Sequence, residues 1–125
     1  VDLVLVMDED NLDRFIACAG ELNLTPSAPV PLKDLKNPEQ RRFWHEHKRM
    51  IAFGLQNTQA RIPTMVDVLI APCIDIDLAM QRAVVRDLDG TQVLLASIED
   101  MITLKTDTGR AQDKSDIEFL ERVRG

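Results

Sequence analysis

Thr64-Met65-Val66-Asp67-Val68-Leu69-Ile70-Ala71 is the stretch on which the fold turns. Its β-branched and aliphatic residues predict a buried strand, and Asp67 stands in the middle of it. Asp is depleted in strands, and a carboxylate withdrawn from water costs several kcal/mol, roughly, unless a cation, a donor or a proton compensates it. The same oddity opens the chain in Val1-Asp2-Leu3-Val4-Leu5-Val6-Met7. Two apolar strands, each carrying one Asp, are the pattern of a metal site borne on a sheet. The plainer reading makes each a strand-end acid that faces solvent or a backbone donor.

Val1 to Met7 is aliphatic on both faces, as expected of a central strand, and its Asp2 shares a face with Val4 and Val6. Asp8 with Glu9 and Asp10 makes an N-cap and an acidic first turn, and Leu12, Phe15, Ile16, Ala19 and Leu22 follow at helical spacing, predicting a helix over Glu9–Leu22. Thr25 to Pro38 holds four of the chain's six prolines and reads as a connector with a short helical turn at Leu32–Leu35. Pro38 opens a second, short helix with Phe43 and Trp44 as its apolar contacts. A strand over Arg49–Leu55 is expected to pair antiparallel with the Asp67 strand across the polar loop Gln56–Arg61.

Downstream, Asp77–Ala83 is helical with Asp75 or Asp77 as its cap, and Val84–Leu95 is a hairpin turning at Asp89-Gly90. Ser97 and Asp100 resemble a capping box ahead of a helix that runs to about Asp107 and ends at Gly109. Asp113 begins a last helix with Ile117, Phe119, Leu120 and Val123 as its stripe. The fold class expected is α/β in the broad sense (α+β): a mixed sheet with flanking helices, a small hairpin and two C-terminal helices.

The 125 residues fit one domain, and the 45% apolar content is enough for a core. No apolar run approaches the ~20 residues that span a bilayer and no basic-plus-apolar leader is present, so a cytoplasmic protein without a membrane partner is expected. Cys18 and Cys73 have no metal-like spacing and are expected as reduced core thiols. His45 and His47, two apart, point to different sides of a helix, which argues against zinc. A net charge of −6 argues against sequence-independent nucleic-acid binding over the whole surface. One local basic cluster, Arg41-Arg42 and Lys48-Arg49 with Arg61 further on, reads as a solvated face or as a phosphate or polynucleotide contact. Lys105, a cation on a mainly apolar helix, either neutralises phosphate charge or pairs with Asp113 or Asp116 to hold two helices together.

Three segments, Val1-Asp2-Leu3-Val4-Leu5-Val6, Val66-Asp67-Val68-Leu69 and the tail Ala96–Lys105 through Gly109–Ile117, together resemble the nucleotidyltransferase superfamily of polymerase-beta-like fold. The resemblance is to its small bacterial branch, which includes abortive-infection toxin nucleotidyltransferases of toxin–antitoxin systems. It implies a single nucleotidyltransferase-like domain over residues 1–125 whose N-terminal helix, Gly-Ser loop and first acid precede Val1. It implies that Asp2 and Asp67 are catalytic acids holding Mg²⁺, with two ions possible, and that Lys105 meets the nucleotide phosphates. Arg49 and Arg61 are the further candidates for nucleotide or acceptor contact. The expected reaction moves a nucleotide from a nucleoside triphosphate to a hydroxyl on protein, RNA or a small molecule. The alternative is a non-catalytic binding or antitoxin-like module that keeps the fold.

Overall fold

The computed structural model describes residues 1–108 and 111–124, the side chains of residues 107–113 excepted. They form two compact units, Val1–Ala71 and Pro72–Gly125. The first contains β1 (Asp2–Leu3), α1 (Glu9–Glu21), β2 (Thr25–Pro26), a 3₁₀ turn (Leu32–Lys36), α2 (Pro38–His47), β3 (Ala52–Asn57) and β4 (Thr64–Leu69). Its sheet has the order β1-β4-β3-β2, with β1 parallel to β4 and the other two pairings antiparallel. Among the described residues the chain is thus a mixed α+β protein, and none of its helices is long and apolar enough to cross a membrane.

Strand alternation sends Phe53 and Leu55 of β3, and Val66 and Val68 of β4, to the same face of the sheet, because Phe53 pairs with Val68 and Leu55 with Val66. On that face they join Leu12 and Ala19 of α1, Leu35 of the 3₁₀ turn and Trp44 of α2 in one buried cluster. Trp44 and Phe53 are its aromatic centre, their rings 5.2 Å apart and tilted by 35°. The helices therefore cover one face of the sheet. Asp2, Asp67, Gly54, Gln56 and Met65 stand on the other.

Three expectations need correction. Val1–Met7 is not a long central strand: only Asp2–Leu3 pairs, at the edge of the sheet. Leu5 and Met7 pack against the core without a ladder, and Asn11 Nδ2 donates to the Val6 carbonyl at 2.9 Å as the chain turns into α1. β3 begins three residues later than expected. The Lys48 and Met50 N–H groups both donate to the Trp44 carbonyl, at 3.2 and 3.0 Å, so the exit from α2 consumes the residues before Ala52. Cys18 and Cys73, expected in the core, are exposed.

The second unit contains α3 (Ile76–Arg82), the hairpin β5 (Val84–Leu88) and β6 (Thr91–Leu95), α4 (Ile98–Thr108) and α5 (Ala111–Arg124). Asp75 caps α3 by accepting from Leu78 N–H at 3.1 Å. The hairpin turns at Asp89-Gly90 with φ of +51° and +87°, the two left-handed residues that match the twist of the strands. The last helix starts at Ala111, ahead of the expected Asp113, whose side chain lies outside the described residues, as does the stop expected at Gly109.

Trp44 is the chain's single tryptophan and reports on the first unit alone. Phe53→Ala should lower that unit's unfolding free energy by about 3–5 kcal/mol in urea denaturation followed by Trp44 fluorescence, and a loss below about 1 kcal/mol would contradict the packing described.

Candidate functional site

The site begins with a register. β1 and β4 run parallel with Asp2 opposite Asp67, and the Asp67 N–H donates to the Val1 carbonyl at 2.8 Å. Residues opposite one another in a ladder project from the same face, and neighbouring strands lie about 4.8 Å apart. The two carboxylates therefore stand side by side on the face away from the core. Asp2 is exposed and Asp67 half-buried. Among the described residues neither carboxylate accepts a hydrogen bond or forms an ion pair.

On the far side of Asp67 stands Gly54, its partner in β3. A Cβ at Gly54 would lie 3.4 Å from Asp67 Oδ1 and 3.3 Å from Ser27 Oγ. The missing side chain leaves a hollow bordered by a carboxylate oxygen and a hydroxyl. Ser27 is held there by its own N–H, which donates to the Gly54 carbonyl at 2.9 Å. A glycine inside an apolar strand marks close approach, so Gly54 was open to reading from sequence. Ser27 carried no such signal, because its place depends on how the proline-rich connector meets β3.

The arginines lie apart. Arg49 follows the C-terminus of α2, and Arg61 is on the loop between β3 and β4; both are exposed. Arg49 precedes β3 and Arg61 follows it, so they stand at opposite ends of a six-residue strand, roughly 17 Å long at 3.3 Å per residue, with Gly54 and Asp67 between them. His45 and His47 are exposed on α2. A cleft of about 640 Å³ opens in the same unit beside Met7, Lys33, Lys36 and Arg41, and neither strand acid lines it.

In the second unit Lys105 Nζ donates to Asp116 Oδ2 at 3.1 Å and ties α4 to α5, the structural role read as one of its two alternatives. Arg124 Nη1 donates to both Glu99 carboxylate oxygens at 2.9 Å near the other end of that helix pair. The stronger polar knot was only half visible in sequence. Ser97 Oγ accepts from Asp100 N–H at 3.1 Å and donates to Asp100 Oδ2 at 2.9 Å, while Arg82 of α3 forks onto Asp100 through Nε at 3.1 Å and Nη2 at 2.8 Å. Asp100 is 4% exposed, so this fork compensates a carboxylate taken out of water.

The Arg82 hydrogen bonds hold the Asp100 carboxyl below the usual carboxylate range; burial opposes them and the Ser97 hydroxyl adds to them. Among the described residues, no group of three or more His, Cys, Asp or Glu side chains could hold a metal ion. No family model matches the chain, and neither the curated proteins nor the solved structures contain a match to it.

A depressed carboxyl stabilises the fold above its unfolded value, near 3.9 for Asp, and that contribution is lost as pH falls through the lower folded value. Asp100→Asn should therefore destabilise the second unit at neutral pH, with the difference from wild type shrinking below about pH 4. Urea denaturation by far-UV circular dichroism across pH checks this. A difference that does not vary with pH would contradict the Arg82–Asp100 assignment.

Proposed function

We propose that the chain carries part of the catalytic site of a metal-dependent nucleotidyltransferase, with Asp2 and Asp67 as the carboxylates that hold Mg²⁺. The observation that carries the reading is the parallel register of Asp2 with Asp67. Two carboxylates on one sheet face, without a protein donor or cation among the described residues, have the hard oxygen chemistry that Mg²⁺ prefers, and the Gly54 hollow leaves room beside one of them. The resemblance of the three segments to the superfamily supports the same reading.

In this reading Asp2 and Asp67 anchor and orient the ion. When bound, the ion would supply Lewis acidity toward the acceptor hydroxyl, whose proton passes to solvent, and toward the pyrophosphate. The acceptor oxygen bonds to the α-phosphorus of a nucleoside triphosphate as the bond to pyrophosphate breaks. Arg61, exposed on the loop between β3 and β4, is a candidate contact for nucleotide or acceptor. A second reading, a non-catalytic module of the same fold, is favoured by the absence of a three-ligand cluster among the described residues.

The two readings part in a transfer assay on the full-length protein with labelled nucleoside triphosphates and Mg²⁺. The transferase reading predicts label transfer that Asp67→Asn reduces by at least the roughly 10–100-fold that loss of even an outer-shell partner costs. Equal transfer by both proteins would contradict it. No transfer by the wild type would favour the non-catalytic reading.

A further inference from the structure

The outer face of α2 and the turn that ends it place one cation over an exposed aromatic ring, with two more cations close in sequence. Phe43 is 43% exposed. Its ring centroid lies 5.1 Å from that of His47, with a tilt of 35°, and Lys48 Nζ stands 5.9 Å from it. Arg42 and Arg49 are exposed on either side in sequence, and among the described residues neither they nor Lys48 forms a salt bridge.

Arg49 is the unexpected member. With Lys48 and Met50 N–H groups both closing onto the Trp44 carbonyl, the residue between them is held in left-handed backbone, and Arg49 has φ +51°. Gly or Asn fits a helix stop of this kind with less strain. A cation near a helix C-terminus suits the helix dipole, which accounts for one charge here. It does not account for an arginine at the strained position or for a half-exposed aromatic ring with Lys48 over it.

We propose that this face binds a single strand of nucleic acid, with a base stacked on Phe43 and successive phosphates met by Arg42, Lys48 and Arg49. Sequence-tolerant single-strand binding combines these two elements, an aromatic platform and a cationic track. The chain's net charge of −6 does not oppose it at this range. Charges more than about 8 Å away are largely screened at physiological ionic strength, and Arg42–Arg49 holds three cations, Arg42, Lys48 and Arg49, against Glu46 alone. The proposal concerns binding only and is independent of the transferase reading.

The test is fluorescence anisotropy with a labelled single-stranded RNA of about 12 nucleotides, a length within the usual site sizes, titrated with the full chain in EDTA. Saturable binding is expected, with a slope of log affinity against log salt near −2, about 0.7 for each of three phosphates. Phe43→Ala should weaken it by about 5-fold or more, the lower bound for one stacked base. Arg49→Gly should also weaken it while leaving stability, read from Trp44 fluorescence, equal to or above wild type. A duplex of the same sequence, whose bases cannot reach Phe43, should bind less tightly. Absence of saturable binding, unchanged affinity in both variants, or a preference for the duplex would overturn the proposal.

Discussion

The pairing of β1 with β4 is the constraint on which the first unit depends. Two residues of ladder, Asp2 opposite Asp67 and Leu3 opposite Val68, join the start of the chain to a strand more than sixty residues later. Because side chains alternate along a strand, this one register does two things at once. It aligns Leu3 with Val68 on the core face, and it aligns the two acids on the opposite face. A slip of one residue would exchange the faces and put a carboxylate among Phe53, Leu55 and Trp44, so core burial and the paired acids enforce the same register.

The helices and the acids divide the sheet between them. α1 and α2 supply Leu12, Ala19 and Trp44 to one face, which leaves the other to the short and polar side chains around Gly54. The second unit is held differently. All of β5 is exposed, and in β6 only Val93 is even half-buried, so the hairpin contributes little core. Charged contacts also link its helices: Arg82 to Asp100 between α3 and α4, and Lys105 to Asp116 and Arg124 to Glu99 between α4 and α5. The buried one of these, at Asp100, is the most sensitive to loss of its partner, because a desolvated carboxylate left alone costs more than the pair contributes.

Local signals carried most of the fold and one part of the site. Asp8 and Asp75 each cap a helix as short polar residues ahead of an apolar pattern, while the start of α2 was read from Pro38 and its cap Asn37, which accepts from Glu39 and Gln40 N–H, was passed over. Asp89-Gly90 marked its hairpin for the same reason, a backbone demand that few residue types meet. The oddity of an acid in an apolar strand pointed to Asp67 and Asp2 together. What stayed hidden was non-local. The two-residue strand β2 takes its place from the edge of β3, Ser27 reaches Gly54 only through that pairing, and Arg82 meets Asp100 from another helix. The extent of β1 was misread because Val4, Leu5 and Val6 have strand-like side chains but no neighbour to pair with. Cys18 was misread because a small apolar residue on an amphipathic helix can fall on either side of the stripe.

The central claim is that Asp2 and Asp67 act as one ligand pair. Mn²⁺ binding followed by electron paramagnetic resonance tests it directly, with wild type, Asp2→Asn, Asp67→Asn and the double variant compared. Side chains that share one ion are coupled, so each single variant should lose most of the binding and the double variant little more. Retention of wild-type affinity in both single variants, or independent and additive losses, would contradict the pairing.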